Sequence, residues 1–158
     1  MNLDPALIDR LGAGLEAAIR AEEQLDTLLS RQEEALKKGA ADEVLETSAA
    51  LEPAYEALRE AMEGCRHAVL EIDERLGLAR GTPLRGVLKE IPAELSPTLA
   101  ERRDRLVAVR RRARRRSARN ATLARASLDA IRTVRGLLAG EAPPTVAVGS
   151  SGRLDAQA

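Results

Sequence analysis

A chain of 158 residues has room for one domain, and its 32% charged content interspersed with 44% hydrophobic residues places it in the soluble globular class. There is no Phe or Trp and a single Tyr, Tyr55, which excludes a thick ring-filled core and argues against a catalytic cleft or a cofactor pocket. Net charge is zero, yet residues 1–77 hold 18 acids against 8 bases and residues 78–158 hold 7 against 17, so the basic part is expected to lie along the acidic part.

Leu and Ala supply most of the apolar content, and both favour helices packed through narrow seams. The N-terminal Met1-Asn2-Leu3-Asp4-Pro5 lacks the basic start and apolar core of a secretory signal, and no apolar run approaches membrane-spanning length. The lone Cys65 has no partner for an internal disulfide. A cytoplasmic address without membrane insertion is the expectation.

Asp4 can cap a helix opened by Pro5, with Leu3 and Ile8 as a hydrophobic staple. The seam Ile8, Leu11, Leu15, Ala18, Glu22, Leu25, Leu29, Gln32, Leu36 alternates three and four, and Lys37-Lys38-Gly39 ends the helix, giving residues 5–38. After Gly39-Ala40-Ala41, a second seam runs from Val44 through Leu51, Tyr55, Met62, Cys65 and Ile72 to Leu76, predicting a helix over 42–76 folded back as a hairpin. Pro53 lies inside it and predicts a kink. A connector rich in Gly and Pro follows, with a short helix at 83–90 begun by Thr82-Pro83. Ser96-Pro97 opens the last helix, 97–139, with Ser96 as its cap. Its seam of Leu99, Leu106, Val109 and Ala113 leads into an Arg-dense middle, then into Leu123, Leu128, Ile131, Val134 and Leu138. Residues 141–158 lack periodicity and read as a flexible tail. The fold class is all-α, a long antiparallel helical hairpin plus a third long C-terminal helix in a coiled-coil-like bundle, with residues 1–140 as the domain.

Chemistry is hard to find in this pattern. Cys65 and His67 stand two apart, about 200° around a helix, and no second His or Cys completes a metal site. Adjacent acids such as Glu22-Glu23, Glu33-Glu34 and Asp73-Glu74 diverge on a helix and read as solubilising charge. The expectation is a protein without catalysis, metal or cofactor. Ten arginines between Arg102 and Arg119 wrap the whole circumference of a helix, with no base-reading or stacking side chains beside them. Pairing with the acidic first and second helices is therefore preferred over nucleic-acid binding.

The acid-rich stretch from Leu25-Asp26-Thr27-Leu28-Leu29-Ser30 through Leu36-Lys37-Lys38-Gly39 to Leu45, the Arg75-Leu76-Gly77 end of the second helix, and above all Asn120-Ala121-Thr122-Leu123-Ala124-Arg125-Ala126-Ser127-Leu128-Asp129-Ala130-Ile131 running on to Leu137-Leu138-Ala139-Gly140 resemble the FlgN family of flagellar export chaperones. The resemblance covers nearly the full length. It implies a three-helix protein that binds the C-terminal segments of hook-filament junction proteins (FlgK/FlgL-like), prevents their early assembly and delivers them to the cytoplasmic part of the export gate. It also implies client contact through the last helix, at Asn120, Leu123, Ser127, Leu128, Ile131, Val134 and Leu138. The family's tail often carries a Tyr used in gate docking, whereas the matching Val146-Ala147-Val148-Gly149-Ser150-Ser151-Gly152 has no aromatic residue. Two alternatives stand beside this one: an arginine-rich nucleic-acid-binding helical protein, and a purely structural coiled coil.

Overall fold

A computed structural model describes residues 4–92 and 94–140, so Leu3 and the segment from 141 onward lie outside the described residues. Asp4 starts the first helix: its extended backbone aims Oδ1 at the Ala6 amide, which donates to it at 3.0 Å, and Pro5 at the first helical position gives up no bond the helix needs. Helix α1 (Pro5–Lys38) stops at Gly39, where φ is 68° and the amide turns back to the carbonyls of Ala35 and Leu36, with Lys37 and Lys38 facing the negative helix end. Helix α2 (Ala41–Leu76) follows at once, its first turn carrying Asp42 and Glu43 where the helix dipole favours acids. It passes through Pro53 as one continuous helix and ends at Gly77.

The connector is organised by an acid that sequence reasoning placed in solvent. Asp73 is buried, and its Oδ2 accepts from the amides of Gly81 and Thr82, both at 3.1 Å, folding the turn back against α2. The Thr82 amide also donates to the Ala79 carbonyl at 3.0 Å, so the carboxylate and the turn's own backbone share it. Helix α3 (Leu84–Glu90) buries Val87 and Leu88, and α4 (Ser96–Leu138) then begins. Ser96 does not cap α4. It is the first residue of the helix, Leu95 holds the cap position, and the Ser96 hydroxyl donates to the Leu88 carbonyl at 2.7 Å, tying α4 to α3. Thr82 likewise does not cap α3, whose cap residue is Pro83 with no side-chain bond.

The expected all-α packing is present, with α1 at its centre. Helix α2 covers one side of α1 and α4 the other, while α2 and α4 make no close backbone approach to each other. Close contact with α2 is set at Gly14, where a Cβ would lie 2.9 Å from Cys65 Sγ, so only glycine permits that spacing. Partners rise together along α1 and α4, from Glu16 with Arg102 to Glu33 with Arg119, so these two helices run parallel. A basal core of residues such as Leu7, Leu11, Leu15, Ile19 and Ile72 includes Val87, Leu88 and Leu99, and a smaller distal core joins Leu25, Leu29, Leu51 and Ala113.

Candidate partner-binding surface

Helix α4 is longer than the support beneath it. On the α1 side its buried or half-buried positions are Leu99, Arg102, Leu106, Val109, Ala113, Arg116, Asn120 and Leu123, in alternating steps of three and four. At Leu123 this track reaches Lys37, the penultimate residue of α1. Beyond it α4 continues to Leu138, about 20 Å further at 1.5 Å per residue, with nothing packed against it among the described residues.

That overhang carries large apolar side chains in water. Leu128 is 53% exposed, Ile131 63%, Val134 56%, Leu137 59% and Leu138 85%. Counted at about 100° per residue, Ile131, Val134 and Leu138 point the way the α1-facing residues point upstream, with Leu128 and Leu137 flanking them. The stripe that α1 covers lower down is thus left uncovered above. A contiguous exposed stripe on an otherwise charged helix marks an interaction surface.

The seven residues expected to meet a partner divide accordingly. Leu128, Ile131, Val134 and Leu138 share the overhang with the exposed Ser127. Leu123 is half-buried at its root. Asn120 lies apart: it is 3% exposed, and its Nδ2 donates to the Leu29 carbonyl at 2.8 Å and to Gln32 Oε1 at 3.0 Å. These bonds tie α4 to α1 just before the helix leaves its support. Leu137, which the sequence pattern did not single out, is 59% exposed and flanks the stripe on the side away from Leu128.

The arginines hold the lower part of α4 in place. Expected to lie along both hairpin helices, they pair with α1 alone: Arg105 with Glu23 at 2.8 Å, Arg110 with Glu22 at 2.6 Å, Arg112 with Asp26 at 2.8 Å and Arg116 with Asp26 at 3.3 Å. Arg102 and Arg119 reach Glu16 and Glu33 less closely, at 3.7 and 3.9 Å. Among the described residues no acid of α2 pairs with these arginines; α2 and α4 make no close backbone approach, and Arg110, which reaches across, meets Met62. Glu22 is buried, as its place in the α1 seam implies, and is not the solvated member of an acidic pair. Arg103 pairs with Asp104 beside it, and Arg111, Arg114 and Arg115 have no acidic partner among the described residues.

Cys65 is buried, and burial pushes its thiol pKa up, away from the reactive thiolate. His67 is exposed. Among the described residues no group of three or more His, Cys, Asp or Glu is placed to hold a metal, and no helix is long and apolar enough to cross a membrane.

A family model described as FlgN protein matches residues 1–144, a span that takes in all four helices and the whole overhang. No curated protein and no solved structure matches the chain.

Proposed function

Since the chain belongs to the FlgN family of flagellar export chaperones, we propose that it binds the C-terminal segments of hook-filament junction proteins in the cytoplasm, keeps them from assembling early and hands them to the export gate. It does so by binding alone, without catalysis or cofactor. The observation that carries this reading is the unsupported end of α4, where Leu128, Ile131, Val134 and Leu138 form an apolar stripe with no partner in their own fold. A client segment that folds as an amphipathic helix can lay its apolar face on that stripe, in the place α1 holds further down. Keeping the segment covered denies it to other subunits, which is the chaperone's task.

The test is titration of the purified chain with a peptide from the C-terminus of a junction protein. Interfaces concentrate their energy in a few anchors, so Ile131→Asp, which would press an unpaired charge against the client's apolar face, abolishes binding. Its circular dichroism and melting stay those of the parent. Undiminished binding by the folded variant would sink the assignment.

A further inference from the structure

Because α2 and α4 flank α1 without close backbone approach to each other, a trough of about 670 Å³ runs between them over the distal part of α1. Leu25 and Leu29 of α1 lie at its floor, Tyr55, Leu58 and Met62 form the α2 wall, and Ala113, Ser117, Ala118 and Ala121 form the α4 wall. Arg110 spans it at one level, bonded to Glu22 and, at 3.1 Å, to Met62 Sδ.

Two features say what fits there. The α4 wall is built of small residues, and Ser117, Ala121, Ala124, Leu128 and Ile131 follow one another at three- and four-residue steps, so the trough wall passes along one face of α4 into the exposed stripe. The free charge at the α4 rim is positive: Arg114 has no acidic partner among the described residues, whereas Arg59 on the α2 side is paired with Glu56 and Glu63. Tyr55, the one aromatic side chain in the protein, is 47% exposed on the opposite rim, with its ring available to a helix seated between.

Resting on the function proposed above, we propose that this trough is the second half of the client site. It takes the continuation of the same client helix, with an apolar face toward Leu25, Leu58 and Tyr55 and acidic residues on the flank toward Arg114. From Arg110 to Leu138 the combined track is about 40 Å long, just under thirty residues of client helix. The client completes a fourth strut of the bundle there, and the overhang is its entry.

The experiment uses the full chain and a peptide of about thirty residues from the C-terminus of a junction protein. Photo-cross-linking p-benzoylphenylalanine replaces Tyr55 in one variant and Ile131 in another, and mass spectrometry identifies what each captures. The expected result is peptide adducts from both positions. Ser117→Trp, which fills the trough and leaves the overhang untouched, weakens binding at least tenfold with unchanged melting, and Arg114→Glu weakens it with a loss of salt dependence. If Ser117→Trp does not fold, the Tyr55 adducts decide. Adducts from position 131 alone, with full-strength binding by folded Ser117→Trp, overturn the trough and leave the stripe as the client site. Capture by Tyr55→p-benzoylphenylalanine of a second copy, or of residues 141–158, with no peptide adduct gives the trough another occupant and overturns it equally. Absence of any peptide binding to the parent chain brings down the proposed function and this inference together.

Discussion

Arg110 crosses from α4 to lie 2.6 Å from the buried carboxylate of Glu22, at the level where the basal core around Leu15 and Ile19 gives way to the distal core around Leu25 and Leu29. The pair is a polar layer between two apolar ones. Removing one member leaves the other in a site built for an ion pair. Arg110→Met is expected to cost about 2 kcal/mol, below the range for a fully buried pair because the arginine keeps contact with water. The double variant Glu22→Leu with Arg110→Met should recover most of that loss, since an apolar replacement of both partners removes the desolvation penalty. Urea melts of the two single variants and the double variant measure both effects.

Core and overhang should separate cleanly by stability. Leu106→Ala opens a cavity between α4 and α1 and is expected to cost about 2–5 kcal/mol. Leu128→Asp alters a side chain that packs on nothing and should shift stability by no more than about 0.5 kcal/mol. A Leu128→Asp protein that melts early in the same thermal scan would put that residue in the core.

Hydrogen exchange should divide α4 at Asn120. Amides of the segment packed on α1 open only with the bundle, whereas those between Arg125 and Leu138 are held by the helix alone and exchange by local fraying. Asn120→Ala, which removes both bonds to α1, is expected to move the boundary toward Ala113 and to lower stability by about 1 kcal/mol. Client peptide should protect the overhang.

Acid should weaken the distal end first. The hydrogen bond from Lys37 holds the Glu33 carboxyl below the usual glutamate range, against the opposing effect of burial, with Arg119 and Arg116 adding to the lowering. A carboxyl depressed on folding contributes stability that is fully present above its unfolded pKa, about 4.3. That contribution is lost as pH falls through the lower folded value. Glu33→Gln should therefore lower the melting temperature modestly at neutral pH, where that contribution is fully present, and converge with the parent in acid, which flattens the acid limb of a plot of melting temperature against pH.

The Cys65 thiol, buried beside Gly14 with its pKa raised by desolvation, should be inert to alkylation in the native protein. It should react at a rate that follows global unfolding in urea. Labelling of the folded protein at the rate of a free thiol would show that α1 and α2 part at this level.

Much of this architecture can be read before any coordinates. Asp4-Pro5 and Gly39 mark the ends of α1 because caps act through neighbours in the chain, and the periodicity of Leu99, Leu106, Val109 and Ala113 marks the buried face of α4. What one seam cannot tell is which neighbour it meets. Helix α1 carries a second apolar track through Leu7, Ala21, Leu28 and Ala35 beside the one through Ile8, Leu15 and Leu29, and two tracks on one helix are the mark of a central strut. Weighing that track would have sent the paired arginines between Arg105 and Arg119 to α1 in place of α2. The burial of Asp73 and the bond from Ser96 to Leu88 depend on how the connector folds back in space, which no local pattern records. In the overhang, the exposed stripe follows from the unequal lengths of α1 and α4, and the resemblance of its sequence drew attention to it before the structure gave the reason.

That inequality makes the hairpin a ruler. The turn at Gly39 sets how far up α4 the chain's own helix reaches, and every residue beyond that mark is left for someone else. Adding one heptad to α1 and a matching one to α2 would carry the turn up past Leu128 and over Ile131, sheltering with its own backbone what the present length displays. The protein would gain a longer core and lose its vacancy. Trimming the arms would lengthen the display at the cost of its footing. The distance from Pro5 to Gly39 is in this sense a setting for how much client the protein can hold.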